Sequence, residues 1–396
     1  MDLKELRQKA ETSFKANGFP TTREELWRFT DVSPVARTEF SDEWNPADVA
    51  FAPLSGIVAV FENGKLSREK SRLENLPEGL LVGSVLDHAD ARLGSLADSQ
   101  SAFVSSNTAF FRDGIYIEVK DGVTVEDPIH VVYLADAEGM AIHQRNFISA
   151  GAGAKLTVIE EYIGGSNATY WSNSVTEVFV ADGGDVDHYK VQRESGTAYH
   201  FQTIEALVGA EAVFSNHTLN LGSKLGRTDL RGKLVGEAGL AVCNGLNLLK
   251  GSQFFDTHLF MDHAVAKCNS HELYKGILDE KSRSVFCGRI LVQQDAQQTD
   301  AIQNSKNLLL SRDAKVHSLP QLEIYADDVK CTHGATIGQL DETALYYLQT
   351  RGIDPKQAHA MLTFAFANEV LDEVRCSTAK DYIESLVHAW LDQVSV

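Results

Sequence analysis

Between Pro128 and Pro320 the chain contains no proline. Proline lacks the backbone N–H that a sheet ladder needs, so a run this long without one allows a continuous sheet to be built through it. The stretch is filled with short alternating segments, among them KLTVIEEYI, SVTEVFV and GLAVCNGLNLL. Their period of two places successive side chains on opposite faces. Small-residue corners recur as GAGA at 151–154, ADGGD at 181–185, VGAEA at 208–212 and VGEAG at 235–239. Counted from Ala150, Ala181, Val208 and Val235, the steps are 31, 27 and 27 residues, too short for strand-helix-strand units that show no helical pattern. A β-solenoid satisfies both observations, because each coil stacks on the last and buries small and aliphatic side chains along a narrow core.

The two ends follow another period. Leu3, Leu6, Ala10 and Phe14 recur at helical spacing, and TTREELWRF, after Gly18 and Pro20, predicts a second helix with Thr22 and Glu25 as its capping box. Pro34, Pro46, Pro53 and Pro77 then mark an irregular connector. At the carboxyl end LDETALYYLQTRG stops at Gly352, and the next segment has Asp354 at its N-cap and Pro355 at its first helical position. TAKDYIESLVHAWLDQV supplies a third amphipathic segment. Leu345, Leu348, Met361, Phe364, Phe366 and Leu371 give this end more apolar surface than three short helices hide among themselves, so part of it is expected to dock on the solenoid or on another protein. The expected organisation is mainly β with helical ends: a helical module and connector over 1–80, a β-solenoid core over 81–337, and a helical module over 338–396.

Charge and cysteine usage narrow the function classes. The formal net charge is -19, from 55 acidic and 36 basic residues, and no Lys/Arg stripe interrupts the acidic background, which disfavours a nucleic-acid partner. No apolar run approaches a membrane span, and MDLKELRQKAETSFK alternates charge where a signal peptide would be apolar, so a cytoplasmic protein without a membrane partner is expected. Cys243, Cys268, Cys287, Cys331 and Cys376 are odd in number and widely spaced, which suits free thiols better than disulfides or structural zinc.

Familiar catalytic patterns are missing: there is no G-x-x-x-x-G-K-[ST] loop, no G-x-S-x-G elbow and no H-E-x-x-H, so no catalytic residue is assigned. Asp327 and Asp328 suggest a carbohydrate-active enzyme, but neighbours on a strand face opposite ways and cannot flank one bond. His258, His263, Cys268 and His271 fall within 14 residues, yet their spacing matches no zinc pattern and alternation separates His258 from His263. That cluster reads as a polar solenoid face. VKCTHGAT at 329–336 is different, because on a strand Cys331 and His333 share a face and put two soft ligands side by side. A small buried thiol beside a core histidine is the other reading of the same spacing.

Four segments carry a resemblance. PQLEIYADDVKCTHGATIGQLDETALYYLQTRGI (320–353), GRILVQQDAQQTDAIQNSKNLLLS (288–311), HAVAKCNSHELYKGIL (263–278) and REELWRFTD (23–31) together resemble the SufB/SufD family, the scaffold proteins of the Suf iron-sulfur cluster assembly system. SufB-type chains carry a glutamate directly after the histidine corresponding to His333; Gly334 stands there in this chain, which resembles the SufD type. The resemblance implies a right-handed parallel β-helix pairing edge to edge with SufB, and carboxyl-terminal helices binding the SufC ATPase in a SufBC2D-type complex. It further implies that His333, and with it Cys331, holds iron or a nascent iron-sulfur cluster at the SufB interface, with FAD associated with the assembled complex and not with this chain alone. A partner-independent homodimer, metal-binding or carbohydrate-active, is the alternative.

Overall fold

Alternating segments stack coil on coil into two facing sheets. The structure is a computed structural model that describes residues 3–41, 43–88, 90–165 and 167–394, so the outer limits of both helical modules at residues 1, 2, 395 and 396 lie outside the described residues. A ten-stranded sheet ends at the strand Lys330–Gly338 and a nine-stranded sheet at Lys315–Ile324. From Ile115–Val119 onward consecutive strands alternate between the sheets, and each pairs in parallel with the next strand of its own sheet; Ile115–Val119 also pairs antiparallel with Leu80–Ser84. This is a parallel β-solenoid of about eight turns. The ten-stranded sheet already includes Ile57–Glu62, within the stretch read as connector, which pairs in parallel with Ile129–Ala135.

Stacking in register makes the interior. One inward row of the ten-stranded sheet runs Leu156, Val186, Phe214, Ala241, Ser270, Ala301 and Cys331, each the direct partner of the next. Large and small side chains are mixed along this row, which is how a narrow core fills without overpacking. Corners are held in a left-handed backbone at Gly153, Gly183, Glu211, Ala238, Lys267 and Gln298. Four of these are not glycine, and the strain is offset because corner amides bond the next coil: Gly183 N–H reaches Ala210 O at 2.8 Å and Glu211 N–H reaches Glu237 O at 2.9 Å. Close stacking is what requires glycine at 236, where an added Cβ would lie 2.0 Å from Ala210 N.

The carboxyl-terminal helices Glu342–Thr350, Pro355–Leu371 and Ser377–Leu391 form as expected, with the Asp354 carboxylate accepting from Lys356 N–H at 2.9 Å. The second and third lie on the outer face of the ten-stranded sheet, where Ala367, Leu371, Ile383 and Val387 close over Ile159, Val191, Leu246 and Ile277. Much of the apolar surface at this end therefore docks on the solenoid, although Met361 stays 51% exposed. Buried Tyr189 is the polar anchor: its hydroxyl donates to Asp187 at 2.6 Å and accepts from the amides of Arg375 at 3.1 Å and Cys376 at 3.0 Å. Tyr189→Phe leaves both amides without that acceptor, and we expect a loss of about 1–2 kcal/mol, read as a lower urea midpoint at unchanged slope.

At the amino end Leu3–Asn17 is helical, but the helix expected from TTREELWRF is only a single 3-10 turn, Glu25–Trp27. The capping contact shifts by one residue, with Thr21 N–H donating to the Glu24 carboxylate at 2.8 Å. Tertiary contacts override the local preference. Trp27 stacks between Phe103, at 5.1 Å, and the guanidinium of Arg227, at 3.7 Å, and Arg227 also takes the Leu26 carbonyl that a helix would have used.

Candidate functional site

The strand Lys330–Gly338 is the last of its sheet, so among the described residues one side of its backbone has no neighbouring strand. The same holds for Lys315–Ile324 in the other sheet. Both unpaired edges therefore belong to the final coil, and Ile324, Tyr325 and Ile337 are exposed beside them. Long open edges with apolar side chains invite another strand. Pro320 sits in the second of them, as an edge strand permits.

Cys331 and His333 lie on this strand on the same side, as the spacing predicts. They differ in burial. Cys331 is half-buried and packs against the interior core, and burial pushes its thiol up, with Asp300 adding to the effect. His333 is exposed because no further coil covers it. Its partner in register is Gln303, fully buried, whose amide donates to the carboxyl of Glu272. The row continues inward as Glu272, Cys243, Asn216 and His188. A line of buried polar groups thus ends at His333.

Glu272 marks how dry this row is, since burial raises its carboxyl to about 8 against the hydrogen bond from Gln303. Among the described residues Gln303 Oε1 is buried without a hydrogen-bond partner, and Gln303 is the in-register neighbour of His333. Among the described residues no three His, Cys, Asp or Glu side chains converge as a metal site. Cys331 and His333 thus supply two donors, and a tetrahedral iron or cluster site needs further ligands from outside this set.

The other candidates separate. Asp327 and Asp328 are exposed in the bend before the last strand, not on a strand, and the Asp328 carbonyl accepts from Gln298 N–H at 2.6 Å. His263 is buried against Ser270 at 2.9 Å, Cys268 is buried at a corner, and His271 is exposed. His258 points elsewhere, toward Asp256 at 3.1 Å. Among the described residues no helix is long and apolar enough to cross a membrane.

Residues 133–366 match the family model for the SufBD core domain of the SUF system for FeS cluster assembly, and residues 1–131 match that for the SufBD amino-terminal region. An iron-sulfur cluster assembly SufBD family protein of Synechocystis is 31% identical over 394 residues, covering 93% of this chain and 86% of the relative. The iron-sulfur cluster assembly protein SufD of Escherichia coli is 31% identical over 377 residues, covering 92% and 88%. A chloroplastic protein of Arabidopsis thaliana, ABCI7, is 29% identical over 414 residues, covering 98% and 86%.

Proposed function

Because the chain belongs to the SufBD family of iron-sulfur cluster assembly proteins, we propose that it is a non-catalytic, SufD-type scaffold subunit whose open last coil is half of a shared assembly site. The observation that carries this reading is the pair of unpaired edge strands bearing His333 at the end of the buried polar row. A SufB-type partner adds its own edge strands there and supplies the ligands that Cys331 and His333 leave open. Iron or the growing cluster is the cargo at this edge.

The two donors divide the work by protonation. Metal binding needs a neutral imidazole and a thiolate, and the half-buried Cys331 thiol resists losing its proton, so His333 is the first ligand and Cys331 joins once the partner's charge or the metal lowers that cost. Gln303 Oε1, buried and unpartnered, is the acceptor proposed for the remaining imidazole N–H once His333 holds metal, the usual outer support of a metal-bound histidine. At the other end of the chain, Tyr346, Tyr347 and Met361 are exposed on Glu342–Thr350 and Pro355–Leu371, and this surface is proposed to receive a SufC-type ATPase. The flavin is assigned to the assembled complex. The five cysteines are free thiols, in keeping with a reducing cytoplasm.

Co-expression with SufB-type and SufC-type proteins tests the assignment. The expected result is one stable complex containing all three chains, lost when Ile324 and Ile337 on the open edges are both replaced by lysine. A homodimer with full cluster-building capacity and no affinity for either protein would overturn it.

A further inference from the structure

On the outer face of the nine-stranded sheet, three cross-strand rows that reach the edge strand Lys315–Ile324 meet beneath the amino-terminal turn. One row is Asp229, His258, Cys287 and Leu319; a second is Arg227, Asp256, Val285 and His317; a third is Arg231, Phe260, Arg289 and Gln321. The first and third rows, with Asp256 and Val285 of the second, line a cavity of about 350 Å³ whose other wall is Glu25, Leu26, Arg28 and Phe29. The geometry points to Cys287 as a reactive thiol that exchanges with low-molecular-weight disulfides bearing carboxylates, with His258 as its cationic neighbour and Arg231 and Arg289 as the carboxylate holders.

The parts are arranged as a relay. Cys287 is the direct cross-strand partner of His258, and both line the cavity; His258 Nε2 meets Asp256 Oδ1 at 3.1 Å. Asp256 is itself 1% exposed and held by Arg227, at 2.7 Å, and by the Thr30 hydroxyl. Burial alone would lower the imidazole, but the Asp256 carboxylate raises it to about 9, so the ring is a cation at neutral pH. Cys287 is partly exposed, and its side chain faces the cavity directly beside the His258 ring. Cys243 and Cys268 are buried, and the thiol of Cys331 is pushed up by burial. Asp229 is occupied by Arg227, and the guanidinium groups at the cavity wall are those of Arg28, Arg231 and Arg289, the last two only loosely paired, with Glu205 at 3.9 Å and Glu323 at 3.4 Å.

In the exchange the Cys287 thiolate attacks one sulfur of the disulfide and a new S–S bond forms. The disulfide's own S–S bond breaks, and its electron pair leaves on the second sulfur, which takes a proton from water. Cys287 is oxidised and half of the reagent is reduced, with no other reactant needed.

The test treats the full chain at pH 7.5 with glutathione disulfide or with neutral hydroxyethyl disulfide and follows each cysteine by peptide mass mapping. Cys287 is expected to be modified first and at least about tenfold faster than Cys376, the other partly exposed cysteine outside the edge site. Glutathione disulfide should outpace the neutral reagent at Cys287 alone, and Arg289→Ala should erase that preference without changing the neutral rate. His258→Gln, in protein shown to be folded by circular dichroism, should remove the advantage of Cys287 for both reagents. Equal rates at Cys287 and Cys376 in the unaltered chain, a measurement that needs no variant, would overturn the proposal. So would a Cys287 rate that is the same for both disulfides.

Discussion

Glu177→Ala is expected to lower the stability of the folded chain by about 3–5 kcal/mol, the range for removing one partner of a buried ion pair. Glu177 is fully buried on the outer face of the nine-stranded sheet and is the only carboxylate that Arg145, 1% exposed, contacts through a hydrogen bond among the described residues. Its two oxygens also accept from the amides of Gly94 at 2.7 Å, Leu96 at 2.7 Å and Ala97 at 3.1 Å. Alanine there strands a buried guanidinium and three amides together. Glu177→Gln keeps the shape but offers only one acceptor oxygen, so its loss should be smaller. Urea unfolding of the three proteins checks the order, and a Glu177→Ala midpoint equal to that of the unaltered chain would mean that the loop at 94–97 is held by other contacts.

Glu272 should give the protein a pH dependence opposite to that of an ordinary carboxylate. Its folded-state pKa is raised by burial to about 8, far above the ordinary 4.5, so the folded chain holds a proton that the unfolded chain releases. The contribution is therefore complete below about pH 4.5 and is lost as pH rises toward 8, a loss on the order of 2–4 kcal/mol. Glu272→Gln removes the titration while keeping an amide that Gln303 can bond. The variant should match the original chain near pH 5 and exceed it near pH 8, which denaturant midpoints at the two values would reveal. A constant difference between the two proteins across that range would mean that Glu272 is solvated in the folded state.

Much of this architecture is legible in the sequence because solenoids repeat. The proline-free run and the corner spacing translate directly into stacked coils, and the left-handed residues at Gly153, Gly183, Glu211 and Ala238 fall at the corners that the small-residue segments marked. The strand Ile57–Glu62 is harder to read, since it stands among prolines and takes its partner, Ile129–Ala135, from far along the chain. The helix expected at TTREELWRF is absent for a related reason: Arg227 and Phe103 capture Trp27 and Leu26, and neither is visible locally.

The edge site is half legible. The spacing of Cys331 and His333 announces a shared face, but the burial that distinguishes them depends on which coil is last. The row behind His333 requires knowing that Gln303 and Glu272 are its neighbours one and two coils back, and coil lengths vary too much for that register to be counted from sequence. The same limit hides Cys287 beside His258, one coil apart, while the nearby His263, Cys268 and His271 draw attention and scatter.

The central claim is that the last coil is half of an assembly site, and cluster content in the three-component complex tests it most directly. His333→Ala and Cys331→Ala, each assembled anaerobically with SufB-type and SufC-type partners, would be compared with the unaltered chain by absorbance and Mössbauer spectroscopy. We expect His333→Ala to assemble normally and hold less iron-sulfur cluster by about tenfold or more, with a smaller deficit for Cys331→Ala. Full cluster content in both variants would contradict the account and leave this chain a purely architectural role.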